Sequence, residues 1–237
     1  MKPADPALDY RLLVARGYDS CAQEFNAARA GSNEDLLAEL GGRLTAGARI
    51  LDLGCGGLPV SRSLVPQHTI VGVDISRQQL LRSRVAMPAG RFVVGDMTTM
   101  AFRPQSFDAV LSFYAIFHTA RSTHEALFRR IYDWLRPGGL LVASLASGDE
   151  AGYTEDFFGV EMYWSNFALQ PYLEMLSSCG FKVVDRRLIS HGYASDAPVE
   201  AHPLVVAEKL TTRPDSTMKR RPMSFQSPSA LFVTRQP

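Results

Sequence analysis

Apolar positions along the chain follow two rhythms. From Arg49 to Lys209, short apolar runs alternate with stretches of helical spacing, the mark of repeated βα units around a parallel sheet. Strands are expected near 49–53, 69–74, 91–94, 107–113, 138–145, 181–186 and 203–208, and helices near 60–65, 76–86, 122–135 and 169–179. Runs that are apolar throughout, such as Leu140-Leu141-Val142-Ala143, suit a sheet covered on both faces. Ser76 is placed to cap the helix after 69–74, and Pro137-Gly138-Gly139 to end the helix over 122–135. Ahead of the sheet, Leu8, Leu12, Leu13, Ala22, Phe25, Leu36, Leu37 and Leu40 recur at helical spacing, interrupted by Gly31-Ser32-Asn33. This predicts two helices that cover apolar surface, with Tyr18 and Phe25 as candidates to close over a ligand. The resulting division is a helical cap over 1–45, an α/β domain over 46–210, and a tail over 211–237 whose Pro, Ser, Thr and Arg content predicts disorder.

Composition narrows the function. Lys and Arg number 25 against 24 Asp and Glu, so no global field draws the protein to nucleic acid or anionic lipid. The Lys219-Arg220-Arg221 cluster in the tail reads as a solvated run. Cys21, Cys55 and Cys179 form no C-x-x-C pair, which suits a reduced chain and offers no zinc site. Neither an apolar leader nor a run of 18 apolar residues is present, so a cytoplasmic protein is expected.

Candidate chemistry lies where the strands end. Ile50-Leu51-Asp52-Leu53 runs into Gly54-Cys55-Gly56-Gly57, and a strand turning sharply into a helix presents bare backbone N–H groups to a ligand. About 20 residues on, Thr69-Ile70-Val71-Gly72-Val73 ends in Asp74, where a doubly wound fold places the acid that binds a ribose diol. Gly95-Asp96-Met97 follows the third strand and offers a carboxylate for an adenine amino group and a side chain to pack on the ring; such an Asp also serves as a helix cap. Ser112-Phe113-Tyr114-Ala115-Ile116-Phe117-His118 follows the fourth, facing the reacting end of a bound nucleoside.

Together, Leu51-Asp52-Leu53-Gly54-Cys55-Gly56, Val73-Asp74-Ile75-Ser76, Gly95-Asp96-Met97, Phe107-Asp108-Ala109-Val110 and Leu135-Arg136-Pro137-Gly138-Gly139 resemble the class I S-adenosylmethionine-dependent methyltransferases. Met162-Tyr163-Trp164-Ser165 and Cys179-Gly180-Phe181 are similar to the small-molecule members of that family, and the likeness covers about residues 10–209. The resemblance implies a Rossmann-like, doubly wound seven-stranded sheet of order 3-2-1-4-5-7-6, its last strand antiparallel. It implies S-adenosyl-L-methionine as cofactor, with Gly54 and Gly56 against the methionine moiety, Asp52 toward its amino group, Asp74 at the ribose hydroxyls, Asp96 and Met97 at the adenine, Phe113 as the backbone wall beside the sulfonium, and Ile75 as a further cofactor-binding residue. One departure is that Gly56 is followed directly by Gly57-Leu58-Pro59, one residue short of the family's Asp-x-Gly-x-Gly-x-Gly.

Methyl transfer is a direct displacement, so the protein supplies alignment and a dry site, and a base only where the acceptor must lose a proton. His118 is the candidate base, with Tyr18 and Tyr114 as alternatives. The segment 148–166, dense in aromatics and carrying Gly148, Gly152 and Gly159, reads as a mobile loop on the acceptor side, with Tyr163 and Trp164 as substrate residues. Ser112-Phe113-Tyr114 is not the Asn/Asp-Pro-Pro-aromatic signature of nucleobase amino-methyltransferases, which favours a small metabolite as acceptor over nucleic acid. Two alternatives are a non-catalytic binder of the same cofactor and a nicotinamide-dependent oxidoreductase; the latter's fingerprint wants glycine where Pro59 stands.

Overall fold

The computed structural model describes residues 1–5, 8–30, 34–193 and 200–210, so the tail 211–237 and its basic cluster lie outside the described residues. The chain runs β1 (Lys2–Pro3), α1 (Tyr10–Ala28), β2 (Arg29–Ala30), α2 (Glu34–Arg43), β3 (Arg49–Leu53), β4 (Thr69–Asp74), α3 (Arg77–Ala86), β5 (Arg91–Val94), β6 (Phe107–Ser112), α4 (His124–Trp134), β7 (Leu135–Ser144), β8 (Glu150–Phe157), β9 (Val160–Asn166), α5 (Leu169–Cys179), β10 (Phe181–Tyr193) and β11 (Glu200–Lys209). The main sheet has the order β2-β10-β11-β7-β6-β3-β4-β5. Its seven long strands therefore stand as 3-2-1-4-5-7-6, and β11 is antiparallel to both of its neighbours while the inner pairs are parallel. The short β2 adds to the far edge of β10, lengthening the expected sheet by one strand.

The unbroken apolar strands divide their residues between two cores, because successive side chains point to opposite faces. Leu51, Val110, Leu141 and Val205 pack with Leu127, Phe128, Ile131 and Leu176 of α4 and α5. Ile50, Leu111, Val142 and Val206 pack with Leu36, Leu37 and Leu40 of α2 on the other side. Both helices expected before the sheet are present, with α1 ending at Ala28 and α2 starting at Glu34.

Three expectations need correction. The helix near 60–65 is a single 3-10 stretch, Val60–Leu64, entered from Pro59. β7 starts at Leu135, not 138, and Pro137-Gly138-Gly139 forms an irregularity in its pairing with β6 rather than a break between helix and strand. The segment read as a loop over 148–166 is a hairpin: β8 pairs antiparallel with β9, and β1 adds to β8 to make a second, three-stranded sheet. Phe158 and Gly159 join the strands at φ +52° and +77°, the backbone of a two-residue type I′ turn. Among the described residues, no helix is long and apolar enough to cross a membrane.

Candidate active site

One wall of a deep cavity is made by the turns that leave β3, β4, β5 and β6. Gly54 and Gly56 stand at φ +69° and +64°, and a Cβ on Gly54 would overlap that of Ala115, so the close turn demands glycine. The N–H groups of Gly54 and Cys55 donate to Val73 O (2.8 and 3.0 Å), tying the turn to β4. Asp74 is 8% exposed and takes bonds from Gly56 N on Oδ2 (2.9 Å) and Ser76 N on Oδ1 (2.8 Å). The Ile75 amide also bears on this carboxylate, and a carboxylate is an acceptor suited to the hydroxyls of a vicinal diol. Burial pushes the Asp74 carboxyl up to about 6, against the pull of the Ser76 and Gly56 amides. Asp96 lines the cavity beside Gly95 and Met97; Thr98 N and Oγ1 hold its Oδ1 (2.7 and 2.8 Å) and Arg11 Nε approaches Oδ2 at 2.8 Å. It is therefore a turn-capping residue and a wall residue together. Ile75 and Phe113 complete this side.

The facing wall comes from α1 and the β8–β9 hairpin. One stripe of α1 supplies Arg11, Val14, Tyr18 and Phe25, at i, i+3, i+7 and i+14, and the hairpin supplies Phe157 and Trp164. Asp19 of α1 accepts from Ser76 Oγ (2.6 Å) and Gln78 N (2.9 Å), pinning the cover over the first turn of α3. Between the walls His118 is 6% exposed, with Nδ1 at 2.9 Å from Tyr163 O and Nε2 at 2.8 Å from Tyr18 Oη. A carbonyl only accepts, so Nδ1 carries the proton and Nε2 accepts from the Tyr18 hydroxyl. Burial holds His118 down to about 4, keeping the imidazole neutral at pH 7. Its ring lies 4.3 Å from that of Trp164, which is stacked on Phe117 at 5.5 Å. Tyr114, at φ +55°, is also on the wall, its N–H donating to Ser144 Oγ (2.6 Å).

Of the residues singled out from the sequence, Gly54, Gly56, Asp74, Ile75, Asp96, Met97, Phe113, Tyr114, Tyr18, His118 and Trp164 converge on this cavity. Two do not. Asp52 is buried beneath the glycine turn, accepting from Ser61 Oγ (2.6 Å), and its carboxylate does not reach the cavity. Tyr163 turns away because adjacent strand residues face opposite sides; its ring stacks on Tyr10 at 5.1 Å, and it serves the site through its backbone carbonyl. Sequence reasoning missed Tyr10, Arg11, Gln79 and His202. The stripe on α1 could have given Arg11. Gln79 hides in the polar run Arg77-Gln78-Gln79, and His202 is brought in from β11 with no local signal.

The buried carboxylate on the cavity wall, the glycine cradle that a Cβ would fill and the acid-and-methionine wall fit an adenosyl cofactor. A methyltransferase domain model matches residues 50–139. Trans-aconitate 2-methyltransferase of Variovorax paradoxus is 29% identical over 146 residues, and ubiquinone biosynthesis O-methyltransferase of Ruegeria pomeroyi 29% over 158; each alignment covers 60% of this chain. The chain spans 52% and 63% of those relatives' lengths. In fold, the chain resembles Burkholderia thailandensis 1,6-didemethyltoxoflavin-N1-methyltransferase, solved with 1,6-didemethyltoxoflavin and S-adenosylhomocysteine (TM-score 0.65, 19% identity, 88% of this chain and 94% of that one). The sheet order, the glycine turn with its two acids and the matched methyltransferase domain over residues 50–139 together support a class I S-adenosylmethionine-dependent methyltransferase.

Proposed function

We propose that the protein transfers a methyl group from S-adenosylmethionine to a small-molecule acceptor held between Trp164 and the Tyr18–His118 pair. The observation that carries this reading is the meeting, in one cavity, of the diol-binding carboxylate wall with a closed aromatic chamber. When bound, S-adenosylmethionine supplies a methyl group on a cationic sulfur, so the acceptor has only to be held in line with it. Phe25, Phe117, Phe157 and Trp164 surround that chamber and exclude water.

The Tyr18–His118 pair handles protons. With its own proton directed at Nε2, the Tyr18 oxygen offers lone pairs to a hydroxyl or amine on the acceptor. An acceptor proton passed to Tyr18 Oη displaces the Tyr18 proton onto His118 Nε2, and Nδ1–H···O=C of Tyr163 steadies the ring. A buried imidazole near 4 is a weak base, so the pair orients a neutral nucleophile and takes its proton as the bond forms, without ionising it beforehand.

Charge narrows the acceptor. Among the described wall residues the cation is Arg11, and it is engaged by Asp96 at the adenine side. A chamber with aromatic walls and no free cation favours a neutral or aromatic acceptor and disfavours a tricarboxylate such as trans-aconitate. Incubation with methyl-labelled S-adenosylmethionine and fractionated small-molecule extracts tests the function. A labelled product from a neutral fraction is expected, and its absence from every fraction, with cofactor binding intact, would overturn the reading in favour of a non-catalytic binder.

A further inference from the structure

The one-residue shortening after Gly56 acquires a use in the structure. Gly57, standing where the loop is shortened, has no side chain, and a Cβ there would fall 2.5 Å from Gln79 Oε1 and 2.8 Å from Asn26 Nδ2. The gap admits a pair of amides from two helices. Asn26 Nδ2 of α1 donates to Ala22 O (2.6 Å) and to Gln79 Oε1 of α3 (2.8 Å). Both partners accept, which fixes the orientation of each amide and leaves Gln79 Nε2 as the outward donor. Gln79 is 1% exposed and lines the cavity, yet its Nε2 is buried with no hydrogen-bond partner. A buried N–H left unmade is costly, so it marks a place where a ligand acceptor belongs.

The position says which acceptor. Along α1, Arg11 contacts Asp96 at the adenine wall and Asn26 contacts Gln79 fifteen residues later, roughly 22 Å away at 1.5 Å per residue. Asp74 joins the two ends, bonded to Gly56 next to Gly57. A nucleoside with its base at Asp96 and its ribose at Asp74 extends its 5′ substituent toward the glycine turn and Gln79. In S-adenosylmethionine that substituent ends in an α-amino acid, and among the described wall residues the Arg11 cation is held at the opposite end, by Asp96. We propose that Gln79 Nε2 donates to this carboxylate and that Asn26 is the positioning residue that turns the amide toward it. The proposal rests on the cofactor assignment and adds a site residue that the sequence did not suggest.

The test is calorimetric titration of S-adenosylhomocysteine against its decarboxylated analogue, 5′-deoxy-5′-(3-aminopropylthio)adenosine. Wild-type protein is expected to prefer the carboxylate-bearing ligand by about tenfold or more, the scale of one hydrogen bond to a charged group. Gln79→Leu should reduce that preference to within about threefold by weakening S-adenosylhomocysteine alone, and Gln79→Glu, which sets like charges together, should reverse it. A wild-type preference below about twofold overturns the proposal without any variant. Equal losses for both ligands in Gln79→Leu would also overturn it, making Gln79 a structural tie between α1 and α3. Failure of both ligands to bind wild-type protein would overturn the cofactor assignment and the proposal with it.

Discussion

The wall built by the sheet and the wall built by α1 with the β8–β9 hairpin are held in different ways. On the sheet side, Gly54, Asp74 and Asp96 leave adjacent parallel strands and are fixed by bonds to backbone groups: Gly54 N to Val73 O, Gly56 N and Ser76 N to Asp74, Thr98 N to Asp96. On the other side the hairpin belongs to a separate three-stranded sheet, and its contacts with α1 are largely ring against ring: Tyr10 on Tyr163, Tyr18 on Phe157, Phe25 on Phe157 and Phe158. Backbone bonds give one geometry and tolerate little change. Aromatic packing accepts altered side chains at modest cost, so one half is suited to a fixed cofactor and the other to a varied acceptor.

Gly54→Ala gives the largest expected effect. It forces a left-handed backbone on a residue with a Cβ and drives that Cβ into Ala115, together costing about 2–4 kcal/mol, with S-adenosylhomocysteine binding lost in calorimetry. Ala115→Gly in the same chain should recover part of the stability by relieving the overlap. Next, Asp74→Ala should weaken S-adenosylhomocysteine by at least about tenfold, since each hydrogen bond to the carboxylate contributes roughly 1.5–3 kcal/mol. Because burial raises Asp74 to about 6, wild-type affinity should also fall as pH drops below that value, and the fall should vanish in Asp74→Asn.

Changes on the acceptor wall should be smaller and selective. Trp164→Ala is expected to raise the acceptor's KM severalfold with little change in cofactor affinity. The smallest effect is on stability against pH. His118 is held neutral, near 4 in the fold against 6.5 when free, so the unfolded chain takes up the proton first and stability falls as pH drops through 6.5 toward 4. Between pH 7 and 6 the His118 share of that loss should be somewhat under about 1 kcal/mol; His124, also held down to about 4 by burial, adds a similar share, so His118→Gln should roughly halve the fall in chemical denaturation. Asp74 acts with the opposite sign: its raised pKa lets the fold take up a proton between about 6 and 3.8, offsetting part of the histidine loss at lower pH.

The same contrast governs what the sequence discloses. β3, β4 and β5 are legible to the residue because each is a short apolar run ended by a glycine or an acid, and the function of those endings is local. The hairpin escapes because its turn is Phe158-Gly159, without the usual Asn-Gly or Asp-Gly signal, and its aromatics read as pocket lining when alternation already separates Trp164 from Tyr163. Asp52 lies off the cavity wall for a three-dimensional reason: Ser61, in the 3-10 stretch that replaces the expected helix, takes up its carboxylate beneath the turn. Gln79 and Asn26 meet across 53 positions, a pairing that no periodicity encodes.

The most direct test of this division of labour is calorimetric titration of S-adenosylhomocysteine into wild-type, Asp74→Ala and Trp164→Ala proteins under one set of conditions. The account predicts at least about a tenfold loss for Asp74→Ala and a change within about twofold for Trp164→Ala. Equal losses in the two variants would contradict it, placing the hairpin over the cofactor, and an unchanged affinity in folded Asp74→Ala would remove the carboxylate from the cofactor site altogether.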